Sequence, residues 1–164
     1  MRTSSRSNAA TPPSERKQRM TTIKSILVPV DFSAASANAL EIAIGMAQAF
    51  DAELTLLHAW ELPVYPYMEF MLSSSELSLA IERGATQRLE STLQTVRARV
   101  PRSKSKLMMG VVWQKIIEAI DELKPDLVVM GTHGRHGVSH ALLGSVAEKI
   151  VRLSPVPVLT ARAP

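Results

Sequence analysis

Short apolar runs alternate along the chain with longer stretches of helical period, a pattern that predicts parallel strands joined by crossover helices. The first run spans Ser25 to Val30, where Ile26, Leu27, Val28 and Val30 are apolar without a period of two, as in a strand covered on both faces. A helix follows: Ser33, just after Asp31, suits its N-cap, and Leu40, Ala43, Ile44 and Ala47 repeat at three and four to form one buried stripe. Glu53 to Trp60 reads as the second strand. Ser75 to Val100 reads as a long helix carrying Leu79, Leu93 and Val96, weakened in its middle by Gly84 and stopped by Pro101. Then come a third strand at Leu107 to Val112, a short helix at Gln114 to Leu123, a fourth strand at Leu127 to Met130, a last helix at Ser145 to Leu153 and a fifth strand at Val156 to Thr160.

Five strands with helices between them predict an α/β fold, a single doubly wound open parallel sheet with helices on both faces. Ligands of such sheets bind beyond the carboxyl ends of the strands where the strand order reverses, so the chemistry is expected just after Val30 and just after Met130.

Two stretches stand outside the pattern. The segment from Glu61 to Ser74 holds Pro63 and Pro66, and it concentrates Tyr65, Tyr67 and Phe70 close to Trp60, beside Met68, Met71 and Leu72. It reads either as a hydrophobic plug over the sheet edge or as a lid or subunit contact. Residues 1–20 have no apolar run, carry a Pro12-Pro13 pair and read as a flexible basic extension ahead of a domain at 21–164. Met20 directly precedes the first apolar run, so the extension is open to being a matter of start-site choice. A transit peptide is the functional alternative, because the stretch is rich in Arg and Ser and poor in acids, but it lacks an amphipathic helical period.

The length of 164 residues agrees with one domain at roughly 150 residues each. The absence of cysteine removes disulfides, thiolate metal sites and cysteine nucleophiles, and it suits a cytoplasmic location. The net charge of +4 comes from the extension, where Arg2, Arg6, Arg16, Lys17 and Arg19 face Glu15 alone. The remainder is balanced, which argues against a nucleic-acid partner. No stretch of about 18 apolar residues is present to span a bilayer, so no membrane partner is expected.

After the fourth strand the chain runs Gly131-Thr-His-Gly134-Arg-His-Gly137-Val-Ser-His140-Ala-Leu-Leu-Gly144-Ser145, a glycine-rich loop leading into a helix. Glycines let backbone amides approach an anion, and the first helical turn presents unpaired N–H groups at the positive end of the macrodipole. The loop matches neither the Walker pattern nor the G-x-G-x-x-G spacing of dinucleotide folds, and on spacing alone a tight strand-to-helix turn remains open. His133, His136 and His140 could suggest a metal, but no carboxylate lies among them, and solvated loop histidines are the commoner case. His58 reads as a structural histidine at a strand end, Ser33 as a helix cap and Trp113 as packing.

The loop resembles the nucleotide-binding signature of the universal stress protein family: G-x-x-G, nine residues, then G-S, at Gly131, Gly134, Gly144 and Ser145. The resemblance extends to Ile26-Leu-Val-Pro-Val-Asp31-Phe-Ser33, Leu56-Leu57-His58-Ala59, Leu127-Val-Val-Met130 and Pro155-Val-Pro-Val158, and so covers about residues 22–162. It implies a Rossmann-like fold of strand order 3-2-1-4-5 and a homodimer paired through Val156 to Thr160. An unpaired apolar edge there would be a hazard, which independently favours a dimer. The ATP-binding branch of the family implies ATP as the ligand, with Mg2+ at its phosphates. Asp31 would then accept from ribose hydroxyls, and Ala59 would meet the adenine edge through its backbone. Pro29, Val30 and Met130 would line the base and ribose pocket. Gly131, Gly134, Gly144 and Ser145 would hold ribose and phosphates, and Val146 and Ala147 would donate backbone N–H groups.

Two positions depart from the family pattern. Gly110-Val-Val112 lacks the proline of its usual G-x-P turn, and Ala147 stands where many members carry a hydroxyl. The implied function is that of an ATP-binding regulator in stress response or signalling, with an unidentified protein partner. The alternatives are a nucleotide-free dimerisation and interaction module, and an enzyme, either a slow ATPase or a nucleotidyl transferase. The H-x-G-H motif expected of such a transferase is absent, and no positioned base for water is visible.

Overall fold

Strands and helices alternate in the computed structural model, which describes residues 22–61, 75–132 and 143–164. The elements are β1 (Ser25–Pro29), α1 (Ala34–Phe50), β2 (Glu53–Trp60), α2 (Ser75–Arg97), β3 (Lys104–Met109), α3 (Val112–Leu123), β4 (Leu127–Gly131), α4 (Ser145–Leu153) and β5 (Val158–Ala161). The sheet is five-stranded and all parallel, in the order β3-β2-β1-β4-β5. Among the described residues no helix is long and apolar enough to cross a membrane.

Because side chains alternate across a strand, the sheet feeds two apolar layers. Ile26, Val28, Leu54, Leu56, Leu127 and Val129 join Ala39, Ala43 and Ile44 of α1 and Leu89, Leu93 and Val96 of α2 in one cluster. Leu27, Leu57, Val128 and Met130 join Ile116, Ala119 and Ile120 of α3 and Ala147 and Ile150 of α4 in the other. Strands apolar at consecutive positions are what a sheet covered on both faces requires.

The amino ends of the strands are stitched together. Asp126 Oδ2 accepts from the backbone N–H of Lys24 and Ser25 and from the Ser25 hydroxyl, and its own N–H donates to the Ser25 carbonyl. These bonds, led by that from Lys24 N–H, hold the Asp126 carboxyl below its ordinary range despite some desolvation. The left-handed residues Asp51 and Lys124 close α1 and α3 through bonds from their N–H groups to the carbonyls of Ala47 and Ile120.

The element boundaries show where apolar runs mislead. β3 starts at Lys104 and ends at Met109, three residues ahead of the predicted Leu107 to Val112, because this edge strand is polar in its first half. Gly110, at φ 136°, ends it, and α3 begins at Val112 instead of Gln114. β5 begins at Val158 because Pro155 and Pro157 flank Val156, and it extends to Ala161. α2 ends at Arg97, and a turn in which Val100 N–H still donates to the Val96 carbonyl carries the chain on to Val100. The helix passes through Gly84 unbroken.

Candidate functional site

The carboxyl ends of β1, β2 and β4 and the amino end of α4 form the other edge of the sheet. Val30 follows β1 directly, and its N–H still donates to the Leu57 carbonyl at 2.8 Å. After that the chain leaves the sheet. Asp31 N–H donates to the Ser36 hydroxyl, and Asp31 Oδ1 accepts from Ser33 N–H at 2.9 Å in an Asx turn. Ser33 then caps α1 by accepting from Ser36 N–H, as expected from sequence. Between them Phe32 adopts the left-handed conformation at φ 64°, a strain of about 1–3 kcal/mol for a bulky residue.

The departure of β1 uncovers part of β2. Leu57 directs its backbone groups toward β1, and the Trp60 carbonyl accepts from Gly110 N–H on the β3 side. Alternation therefore turns the N–H and C=O of Ala59 toward β1. The β1–β2 register ends at Pro29 and Leu57, and Asp31 follows just beyond it at the same end of the sheet. Among the described residues neither peptide group of Ala59 has a hydrogen-bond partner, so one donor and one acceptor stand side by side at the strand end.

Pro29 and Met130 flank this point. Both are buried, and the β1–β4 register continued from Leu27 and Val128 places them opposite one another. Met130 packs into the α3/α4 layer, on the sheet face that strand alternation also assigns to Ala59 and Pro29. Val30 packs instead into the α1/α2 layer. Its side chain therefore belongs to the core, and its contribution at this edge is its backbone.

Gly131 is explained by packing. A Cβ there would stand 2.9 Å from both the Ala35 carbonyl carbon and the Ser36 nitrogen, so α1 can lie against the end of β4 only if residue 131 has no side chain. Thr132, which sequence reasoning passed over, ties the loop ends together. Its N–H donates to the Ala161 carbonyl, and its carbonyl accepts from Gly144 N–H at 2.8 Å. The Gly144 amide is thus committed to the fold, and its carbonyl accepts the first α4 bond, from Glu148 N–H.

Gly144 occupies the N-cap of α4 with no side-chain cap, which leaves the N–H groups of Ser145, Val146 and Ala147 as the helix's orphan donors. The Ser145 side chain is exposed, while Val146 is partly buried and Ala147 is 2% exposed within the α3/α4 layer. A methyl at residue 147 therefore serves packing, which accounts for the absent hydroxyl. Gly134 lies outside the described residues, as do Arg135, His133, His136, His140, Tyr65, Tyr67 and Phe70. Trp60, the first aromatic of that group, is a buried residue of β2.

His58 is a structural histidine: it is buried, and its Nδ1 lies 2.7 Å from the Val30 carbonyl oxygen. Phe32 stacks on it with ring centroids 4.7 Å apart, and Arg88 of α2 lies 4.4 Å from the Phe32 centroid. No sequence motif announces this triplet. The available signal is a histidine within an apolar strand, immediately before its last residues.

Comparison with known proteins identifies the lineage. The profile described as "Universal stress protein family" matches residues 22–162. A universal stress protein of Thermus aquaticus is 36% identical over 139 residues, covering 85% of this chain and 98% of that protein. A solved universal stress protein of Lactobacillus plantarum is similar with a TM-score of 0.74 at 28% identity, covering 85% of this chain and 98% of that one. Two more distant structures share the fold: an Arabidopsis thaliana family member with AMP bound (TM-score 0.63, 16% identity, 86% and 92% coverage) and a universal stress protein in complex with cAMP (TM-score 0.60, 22% identity, 87% and 99% coverage). With its profile match spanning nearly all of the described residues, this chain belongs to the universal stress protein family.

Proposed function

We propose that the protein binds an adenine nucleotide at the carboxyl edge of the sheet and acts as a dimeric, nucleotide-dependent regulator in the cytoplasmic stress response. The observation that carries the reading is the open donor–acceptor pair on Ala59. The edge of an adenine offers an acceptor and a donor at matching spacing, and a strand end that presents both can take it without a specialised side chain. Pro29 and Met130 supply the apolar floor for the base. Asp31, just after Val30, supplies a carboxylate at the same end of the sheet, where a ribose would follow.

The amides of Ser145, Val146 and Ala147 receive phosphate at the positive end of α4. Gly144 contributes its amide's tie to the Thr132 carbonyl and a lack of bulk, and Gly134 belongs to the same sequence motif. ATP is the expected ligand, and Mg2+ would sit among its phosphates and water, needing few protein ligands. The AMP and cAMP in the two distant relatives support the adenine and leave the phosphate number to titration.

The test is to purify the protein without added nucleotide, denature it and identify the released small molecule by mass spectrometry, then titrate ATP, AMP, cyclic AMP and GTP. Gly144 has φ −61° and ψ 149°, which any residue adopts, so Gly144→Val adds bulk without backbone strain. Adenine nucleotide bound by the wild type and lost in Gly144→Val supports the reading. Refusal of every nucleotide by the wild type overturns it.

The dimer rests on β5, the outer strand of the sheet, with Val158 and Leu159 half-buried within one chain. Light scattering that reports a monomer at working concentration contradicts it. The second reading, a nucleotide-free dimerisation and interaction module, is favoured by Val151 and Leu153, about half exposed on α4 just before β5. An empty protein that still dimerises would establish that reading instead.

A further inference from the structure

We propose that His58 is a positioning residue whose imidazole holds the Val30 carbonyl out of the β1–β2 ladder and thereby keeps the peptide groups of Ala59 open. The inference rests on the nucleotide reading only for what those groups receive. In an unbroken parallel ladder of this register, Ala59 N–H would donate to the Val30 carbonyl and Phe32 N–H would donate to the Ala59 carbonyl. Neither bond forms. The Val30 carbonyl lies instead 2.7 Å from His58 Nδ1. A carbonyl only accepts, so Nδ1 carries the proton.

Three features keep this substitution in place. His58 is 8% exposed, so water competes poorly for the Val30 carbonyl. The Phe32 ring lies against the imidazole at 4.7 Å, tilted by 48°. Phe32 itself turns left-handed at φ 64°, which carries its N–H away from the Ala59 carbonyl. Arg88 of α2 then lies 4.4 Å from the Phe32 centroid, so a helix on the far side of the packing helps to hold the turn. Two ladder bonds are forgone and one bulky residue is strained at the same point, immediately beside the strand end that the site would use. Strain of that kind persists only where the surroundings over-determine it.

The side-chain amide nitrogen of asparagine can take the place of histidine Nδ1, whereas leucine fills similar space without a donor. In His58→Leu the Val30 carbonyl is released, and Ala59 N–H closes onto it. The expected results are an Ala59 amide that exchanges with solvent about tenfold more slowly in the nucleotide-free variant and an AMP affinity about tenfold weaker, the scale of one hydrogen bond. His58→Asn should return both to wild-type values. Unchanged Ala59 exchange in a folded His58→Leu overturns the proposal, and so does unchanged AMP affinity.

If the wild type binds no nucleotide while Ala59 still closes in His58→Leu, the positioning role stands and the nucleotide reading falls. Should His58→Leu fail to fold, the tautomer decides. Nitrogen-15 NMR of the wild type must show the His58 proton on Nδ1, and a ring protonated on Nε2 alone overturns the proposal.

Discussion

The two ends of the sheet are built on opposite principles. At the amino end, backbone groups are paired and carboxylates are spent on holding: Asp126 accepts from Lys24 and Ser25, and Asp51 and Lys124 close helices. Arg102 and Lys104 add surface pairs to Asp51 and Glu53. At the carboxyl end, Ala59 has two peptide groups without a partner among the described residues, α4 begins without a side-chain cap and Phe32 is strained. The same strands run through both ends, so the difference is not one of core packing. One end is tied by hydrogen bonds, while the other forgoes hydrogen bonds that the chain could have made. Unsatisfied polar groups at a strand end are costly in a folded protein unless something else completes them.

Substitutions can break that contrast in graded ways. The largest effect is expected at Gly131, where the valine variant forces a side chain into the backbone of Ala35 and Ser36. It should lose about 3 kcal/mol in urea unfolding, because backbone cannot rotate aside as a side chain can. A variant as stable as wild type would show that α1 does not sit against β4. Next, Asp31→Ala removes both the Asx turn at the start of α1 and the carboxylate that follows β1. Nucleotide affinity should fall by about tenfold or more while stability falls by about 0.5–1 kcal/mol, a split that calorimetric titration and urea unfolding measure separately.

Much of this contrast is legible in the order of residues alone. The unpatterned apolar runs at Ile26 to Val28 and Leu127 to Met130 announce buried parallel strands, and Ser33 announces a helix start. The glycine loop marks the edge where the strands end. Family resemblance, and not periodicity, supplies the strand order and the expectation for the Ala59 backbone.

What stays hidden depends on groups that sequence does not weight. The first half of β3 is polar because an edge strand has one open side, so an apolar-run criterion places that strand three residues late. Gly131 reads as a ligand-facing glycine in the motif, and its neighbours add a helix-packing constraint that the motif does not announce. The left-handed Phe32 has no sequence signature, since aromatic residues rarely adopt that conformation.

The amino end should respond differently. Asp126→Ala removes the acceptor of three hydrogen bonds and is expected to cost about 1 kcal/mol at neutral pH without changing nucleotide affinity. Because the folded carboxyl sits below its ordinary range, its contribution is complete above the unfolded value and is lost as pH falls through the folded one. Wild type should therefore lose stability more steeply than Asp126→Ala on acidification below about pH 4, and parallel curves would remove Asp126 from the account. Smallest of all, Arg102→Ala breaks an exposed pair to Asp51 and should cost less than about 0.5 kcal/mol, as read by thermal unfolding in low and high salt.

The most direct measurement is a titration of the nucleotide-free protein with AMP and ATP, followed by backbone amide NMR. The account predicts saturable shifts at the amides of Ala59, Ser145, Val146 and Ala147, while Lys24, Ser25 and Asp126 stay still. Resonances that remain fixed at the carboxyl end, or that move first at the amino end, would contradict it.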